Sequence, residues 1–528
     1  MTAVLSMFVL GSYLSYSIWK LKKHLHMLQL NSYLNERYAG WLGQHLRQSY
    51  AVKEFLPCLA CLPLVFGSAI LTAGSWTVAY LFLFLFREHA QEKKALVFTP
   101  RAMRLYAAMI LVLLVICALS VQGLMTRNNF VILFQMAFLI FFNIASFLVA
   151  LIANFLESPL ERRINLWYFR AARKRIREMP RLRTVGITGS YGKTSTKAIL
   201  QSMMAQRFHV LMTPESYNTP MGISKVIRAD LRPVHEIFIA EMGARQLGDI
   251  STLCDLVSPH FGILTSIGEQ HLETFHTLDA IKRTKFELID ALPPDGIAFL
   301  NMDNEHIRDM APHCRVKCIS FGIDSTDLHY SARHICMDSQ GCSFDFCLPD
   351  GRSQEFRTSL LGRHNIYNML GAAALACELG VDVNMIQSVV RNLTPLPHRL
   401  EVKNTSQEIT IIDDAFNSNP AGARSALEVL QAIDGKKKIL ITPGMVELGK
   451  WEYELNRQFG CQAAACCDYI ILVGRKQSLP LQDGLRSMNF SRYYVARDLY
   501  EANQHLRTIV TAGDVVLYEN DLPDTYNE

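Results

Sequence analysis

A glycine turn that carries a lysine and a threonine can hold phosphates, and residues 189–196, Gly-Ser-Tyr-Gly-Lys-Thr-Ser-Thr, form such a turn. Before it, Thr184-Val-Gly-Ile-Thr188 reads as a short buried strand; after it, Lys197-Ala-Ile-Leu-Gln-Ser-Met-Met204 is helix-compatible. In this order, backbone N–H groups and a helix N-terminus meet the oxygens of a phosphate. Gly189, Ser190, Tyr191 and Gly192 line the turn, with Tyr191 as filler. Lys193 reaches the terminal phosphates, and Thr194, ahead of Ser195, offers its hydroxyl to Mg²⁺. The general pattern wants a glycine five residues before Gly192, where Ile187 stands, so the match is to a shortened GxxGKT form. A tight turn that happens to hold Lys and Thr is the alternative.

The metal needs a carboxylate as well. Glu236-Ile-Phe-Ile-Ala240 is an apolar strand that ends in Glu241. An acid at the carboxyl end of a strand beside a phosphate loop stands where a parallel α/β sheet places its ligands. The alternative is a surface glutamate at a strand end.

The elements that must position these groups can be read from length and hydropathy. At roughly 100–200 residues per domain, 528 residues imply about three folding units. The chain is 50% hydrophobic and 19% charged, and its mean hydropathy is +0.13. The apolar excess lies in residues 1–154. Met1–Trp19 carries no charge; without a basic start it reads as an uncleaved anchor rather than a signal peptide. Residues 55–86 are uncharged for 32 residues, and Leu105–Leu124 and Asn129–Asn154 are each long enough for one span. Basic segments at 20–54, 87–104 and 162–183 should all face the cytoplasm. This predicts five spans, with 55–86 crossing twice and turning near Gly74-Ser75, rather than four, and puts the catalytic body on the cytoplasmic side of the inner membrane. Residues 155–183 form a basic juxtamembrane linker: Glu157–Arg183 holds nine Lys/Arg against three Glu. After an apolar run this suits anionic lipid better than a nucleic-acid arm. The thirteen cysteines are scattered. Cys58 and Cys61 form a CxxC inside an apolar run, and Cys314 and Cys318 lack a second pair, so buried reduced thiols are expected.

Several further motifs follow in order. They are Ser216-Tyr-Asn-Thr-Pro-Met-Gly222, Glu241-Met-Gly-Ala244, Ile267-Gly-Glu-Gln-His271-Leu-Glu-Thr-Phe275, Lys285 within Thr284-Lys-Phe-Glu287, Leu361-Gly-Arg-His364-Asn365-Ile-Tyr-Asn368, Asp413-Asp414-Ala-Phe-Asn417-Ser-Asn419-Pro420 and Met445-Val-Glu-Leu-Gly449. With the phosphate loop, they make residues 181–528 resemble the Mur ligase family, and within it the branch that adds D-alanyl-D-alanine to a UDP-N-acetylmuramoyl tripeptide in peptidoglycan precursor synthesis. The resemblance implies a central ATP-binding domain over 184–396 and a Rossmann-like C-terminal domain over 397–528. The strand–helix alternation independently predicts parallel sheets with helices on both faces. Strands are expected at 409–413, 437–442, 469–474 and 514–518. The fold class is therefore α/β, behind an N-terminal helical membrane domain.

The resemblance also assigns roles. Thr194 and Glu241 hold one Mg²⁺, and His271 helps hold a second. Lys285 resembles a lysine that becomes carbamylated, which turns a cation into an oxygen ligand for a hard metal. Taken alone, His271 reads as a loop histidine and Lys285 as a solvated helix lysine. Lys193, His271 and Lys285 form the catalytic set. Asn368 resembles an adenine-side contact, and Arg399 and Asp414 resemble groups that close over the nucleotide. Asn218 lies near the acyl substrate. Asn417 and Asn419 shape the substrate cleft or simply form a turn.

Two departures stand out. Membrane spans replace the family's UDP-binding layer, and Tyr518-Glu-Asn-Asp521 stands where the branch has a Lys-Gly-Ser turn. The reading is an ATP- and Mg²⁺-dependent, ADP-forming ligase. It activates a small or peptide-like carboxylate as an acyl phosphate and joins it to an amine at the membrane, beside lipid and other cell-envelope proteins and without nucleic acid. A poly-γ-glutamate-type or lipid-linked amide ligase is the first alternative. A membrane P-loop ATPase for transport or signalling is the second.

Overall fold

The structure, a computed structural model, describes residues 3–44, 52–87, 95–215, 217–269, 272–338, 340–395, 397–405, 408–415, 418–446 and 448–521. The chain divides into two units after Leu166.

The second unit is built on two sheets. The first contains β1 (Arg183–Thr188), β2 (Val210–Met212), β3 (Ile237–Glu241), β4 (Phe261–Leu264), β5 (Ile297–Asn301), β6 (Lys317–Gly322), β7 (Tyr330–Asp338), β8 (Gly341–Cys347) and β9 (Ser353–Thr358), in the order β2-β3-β1-β4-β5-β6-β7-β8-β9. The strands from β2 to β7 are parallel, and β8 and β9 extend the sheet antiparallel. This antiparallel edge was not expected; β8 begins three residues after β7 ends and pairs back on it, which a parallel crossover cannot do. The core strands are apolar at nearly every position because both faces are covered. Val185, Ile187, Ile237, Ile239 and Ile263 pack with the helices Lys193–Met204 and Arg363–Glu378. Phe238, Ala240, Leu264, Ala298 and Leu300 pack with Pro220–Ala229, Asp249–Val257 and Leu278–Asp290. From β1 the chain moves outward to β2 and β3 on one side and to β4 and β5 on the other. The carboxyl end of β1 is therefore the switch point, where such sheets open a crevice for ligands.

The second sheet contains β10 (Glu401–Asn404), β11 (Thr410–Asp414), β12 (Lys438–Thr442), β13 (Tyr469–Val473), β14 (Tyr493–Ala496) and β15 (Val515–Glu519) in the order β10-β11-β15-β12-β13-β14, with only β10 antiparallel. Four of these strands match the expected ones to within a residue at each end. Alternation again serves two cores: Leu440, Leu472 and Leu517 face one, Ile439, Ile471 and Val516 the other. The order differs from the Rossmann arrangement, because β15 inserts between β11 and β12. The broader description, an open parallel sheet with both faces covered, holds.

The first unit is helical: Ala3–Leu30, Asn35–Gln44, Leu56–Ala60, Leu62–Val65, Ala69–Leu85, Pro100–Leu124, Asn129–Ile144 and the start of Ser146–Arg177. Ala3–Leu30 and Pro100–Leu124 are long and apolar enough to cross a membrane, and Asn129–Ile144 with Ser146–Arg177 is a pair bent by 72°. Among the described residues this makes two spans, or three if the bent pair is one span, against the five or four expected. Residues 55–86 do not turn at Gly74-Ser75. The chain breaks earlier, around Pro57 and Pro63, and Ala69–Leu85 runs unbroken through both residues, with Ser68 as its cap. The Ser75 hydroxyl lies 2.8 Å from Leu71 O in its own helix and 2.8 Å from Ala60 O of the helix Leu56–Ala60, so its donor is met without a turn. Of residues 155–183, those as far as Arg177 are helical.

Inside this unit, Lys20 Nζ donates to Glu54 Oε2 at 2.9 Å and to Asn143 O at 2.8 Å, and Tyr16 donates to Glu54 Oε1 at 2.5 Å. Among the cysteines, the sulfurs of Cys314 and Cys318 lie close to one another. Cys58 and Cys336 are exposed rather than buried.

Candidate nucleotide and metal site

The phosphate loop leaves β1 at the switch point and enters the helix Lys193–Met204 through Gly192, at φ +82°. Only glycine takes this backbone without strain. A Cβ at Gly192 would also overlap Asn368 Oδ1. The loop is pinned from the β4 side: Ser190 N donates to Ser266 O at 2.7 Å, Tyr191 N to Ser266 Oγ at 2.9 Å, and Thr265 Oγ1 to Tyr191 O at 2.5 Å. Tyr191 packs on Gly268, which has no room for a side chain; it fills the loop as read from sequence. The first hydrogen bond of the helix runs from Thr196 N to Gly192 O. The N–H groups of Lys193, Thr194 and Ser195 therefore stand at the open helix end, where an anion is stabilised. Lys193 Nζ folds back over the loop, donating to Gly189 O at 2.6 Å and Ser190 O at 3.0 Å. Burial and Arg399 push its pKa down to about 8, with Glu241 opposing.

Glu241 ends β3 in register with Ile187 of β1, which sets it beside the loop. It is 1% exposed, so the surface-glutamate alternative falls. Both carboxylate oxygens are engaged: Oε2 accepts from Lys197 Nζ at 3.0 Å and Oε1 from Asn218 Nδ2 at 3.1 Å. Burial works against its charge, but Lys197 and Lys193 prevail and hold the carboxyl below the usual range.

Lys285 is 2% exposed, on the helix Leu278–Asp290, so it is no solvated helix lysine. Burial and the neighbouring Lys193 drive its pKa well below the ordinary value, with Asp249 and Glu287 opposing. Arg399 is half-buried within electrostatic reach of Glu241 and Asp414, and desolvation lowers its pKa. Asp414, at the end of β11, is pushed up to about 6 by burial, against a hydrogen bond from Leu400 N and the charge of Arg399.

The structure thus gathers Lys193, Thr194, Glu241, Asn218, Lys285, Arg399 and Asp414 around the carboxyl ends of β1 and β3. It places Asn368 elsewhere than expected: under Gly192, buried, with Oδ1 accepting from Thr196 Oγ1 at 3.1 Å. There it braces the loop and presents no open edge to a base. Asn419 caps the helix Pro420–Ala432, its Oδ1 accepting from Gly422 N at 2.8 Å, so the turn reading holds. His271 and Asn417 lie outside the described residues. Among the described residues, no three His, Cys, Asp or Glu side chains form a metal cluster. A Mg²⁺ held by one carboxylate, one hydroxyl and phosphate oxygens needs no such cluster, so the donor set of Thr194 and Glu241 fits it.

Sequence reasoning missed Lys197, whose signal was a second lysine four residues after Lys193 on the same helix. It also missed Glu519, a fully buried carboxyl at the end of β15. Glu519 Oε2 accepts from Thr442 Oγ1 at 2.8 Å and Oε1 from Ser418 Oγ, and burial pushes its pKa up to about 8.

Comparison with known proteins agrees with this geometry. Residues 187–376 match the Mur ligase middle domain and residues 398–518 match the Mur ligase, glutamate ligase domain. The chain belongs to the Mur ligase family. Within the family it is similar to the UDP-N-acetylmuramoyl-tripeptide–D-alanyl-D-alanine ligase of Escherichia coli, at 30% identity over 57% of this chain and 66% of that protein. The Bacillus subtilis protein of the same name is 26% identical over 64% of this chain and 72% of its own. The structure of the MurF ligase of Thermotoga maritima in complex with ADP superposes with a TM-score of 0.61 at 25% identity, covering 69% of this chain and 81% of that one. The chain thus spans about two thirds of the length of the curated relatives it matches.

Proposed function

We propose that this chain is an ATP-dependent, ADP-forming ligase of the D-alanyl-D-alanine-adding type, with its ATP-binding domain over 184–396 and its second catalytic domain over 397–528. The observation that carries this is the meeting of buried Glu241 and Lys285 with half-buried Lys193 and Arg399 at the carboxyl end of β1. Charged groups gathered and partly or fully withdrawn from water are costly unless a ligand uses them.

The N–H groups of Lys193, Thr194 and Ser195 and the Lys193 ammonium bind the phosphates. Thr194 and Glu241 would hold one Mg²⁺ and His271 would help hold a second, and the ions would supply positive charge against the γ-phosphoryl oxygens. Lys285 is buried next to a cation and is pushed toward its neutral amine, the form that adds CO₂. The resulting carbamate replaces a repelled cation with an anion. Arg399 and Asp414 close on the nucleotide from the C-terminal domain, and Asn218 positions the acyl substrate beside Glu241. The substrate carboxylate takes the γ-phosphoryl group and ADP leaves. The amine then attacks the acyl carbon, loses a proton and expels phosphate. Catalysis is mainly positioning and charge neutralisation.

The helical unit is read as a membrane anchor. Ala3–Leu30 and Pro100–Leu124 support this through their length, and through the apolar side chains they expose, among them Met7, Phe8, Leu111, Val115 and Leu119. The basic run from Arg162 favours anionic lipid at that surface. Because helices stand where the relatives' substrate-nucleotide domain would be, a lipid-linked or polyglutamate-type acyl substrate is the second reading. ADP release by purified protein decides between them: UDP-N-acetylmuramoyl tripeptide plus D-alanyl-D-alanine should stimulate it more than lipid-linked or glutamate-based pairs. Stimulation by none of them would sink the substrate class. Lys193→Ala should abolish release, and an unchanged rate would remove the phosphate-loop assignment. Retention in membranes through an alkaline carbonate wash tests the anchor.

A further inference from the structure

Lys197 is the most deeply buried cation of the nucleotide site: its side chain and that of Glu241 are each 2% exposed. Among the described residues, its side-chain hydrogen bonds do not go to the phosphate loop. Its Nζ donates to Glu241 Oε2 at 3.0 Å and to the backbone carbonyl of Glu215 at 2.5 Å. Glu215 sits in the segment 213–219 that joins β2 to the helix Pro220–Ala229, and its φ of +41° is strained for a residue with a side chain. In this conformation the Glu215 carbonyl meets the lysine.

Two more residues of this stretch, Thr213 and Asn218, bond to Glu241 or to the backbone just after it. Thr213 Oγ1 accepts from Glu241 N at 3.2 Å, Asn218 Nδ2 donates to Glu241 Oε1 at 3.1 Å, and Asn218 O accepts from Gly243 N at 3.0 Å. Gly243 has no room for a Cβ against Asn218. The acyl-substrate loop and the metal carboxylate are therefore one buried hydrogen-bonded unit, and Lys197 is its central donor.

We propose that Lys197 is a positioning residue that couples the acyl-substrate loop 213–219 to the Mg²⁺–nucleotide site through Glu241. A divalent cation that draws on Glu241 Oε2 competes with the Lys197 contact, and any shift of the lysine moves the carbonyl of Glu215. Metal loading is thereby transmitted to the surface that receives the carboxylate substrate. This rests on the ligase reading above, specifically on Glu241 as the metal carboxylate.

Hydrogen–deuterium exchange of the full chain in detergent, with ADP plus Mg²⁺ or ADP plus EDTA, tests the coupling. Exchange over 213–219 should change severalfold with ADP and Mg²⁺, and stay at the free-protein rate with ADP and EDTA. In Lys197→Gln the metal-dependent change should disappear while 189–195 stays protected by nucleotide. Protection at 189–195 with no metal-dependent change at 213–219 in the unmodified chain overturns the coupling and leaves the ligase reading intact. So does a change that persists in Lys197→Gln. No protection at 189–195 in the unmodified chain would refute the ligase reading itself. If Lys197→Gln does not fold, the unmodified chain still decides.

Discussion

Gly192→Ala separates a phosphate loop from an ordinary turn. At φ +82° an alanine costs about 1–2 kcal/mol in backbone strain alone. Its Cβ would also displace Asn368, whose Oδ1 accepts from Thr196 Oγ1 at 3.1 Å in a buried setting. Loss of that bond adds about 1–2 kcal/mol. If the loop must keep its native shape to bind nucleotide, the total of about 2–4 kcal/mol appears as weaker affinity. At about 1.4 kcal/mol per factor of ten, that is roughly thirtyfold to several hundredfold. Calorimetric titration of the full chain with ADP and Mg²⁺ measures it, and a thermal melt confirms the fold. Because part of the cost is the Asn368 overlap, Gly192→Ala and Asn368→Ala should be non-additive: the double variant should lose about 1 kcal/mol less than the sum. An affinity for Gly192→Ala within about threefold of the unmodified chain would refute the reasoning, since that corresponds to well under 1 kcal/mol.

Three further outcomes are expected. Lys193, with its pKa lowered to about 8, is cationic below that value and loses its proton above it. Nucleotide affinity should thus fall as pH rises through about 8, with close to one proton taken up on binding above it and none below. Titrations in two buffers of different ionisation enthalpy measure the uptake, and zero uptake at pH 9 contradicts the assignment. For Glu519, raised to about 8, the folded state keeps a proton that the unfolded chain releases near its ordinary value of 4.5. The stability it contributes is full below pH 4.5 and is lost as pH rises to about 8. Glu519→Gln should therefore raise Tm relative to the unmodified chain more at pH 8.5 than at pH 5, and equal shifts would count against it. In the helical unit, Lys20→Met strands Glu54 as a buried charge and should cost about 3–5 kcal/mol, most of it recovered in Lys20→Met with Glu54→Gln. Thermal unfolding in detergent reads both, and a double variant no more stable than the single would refute the pairing.

The sequence by itself determined the local chemistry. Residues 189–196 announced a phosphate loop because glycine, lysine and threonine at those spacings depend only on short-range backbone geometry. Four strands of the C-terminal sheet were legible because strands buried on both faces are nearly continuous apolar runs. Tertiary structure alone decided what those groups face. Lys285 reads as one of three helix cations in sequence, and only the fold buries it beside Lys193. Lys197 gains its partners from β3 and from the segment after β2, neither of which its own helix specifies. Asn368 and Asn419 turned out to be a brace and a cap, because an amide's role depends on the donors and acceptors that packing brings to it. Residues 55–86 are too long for one span and short for two, and the basic segments favoured a double crossing, yet Pro57, Pro63 and the Ser68 cap placed the breaks before Gly74-Ser75. Hydropathy measures how apolar a segment is; where the helix stops depends on which backbone groups find partners.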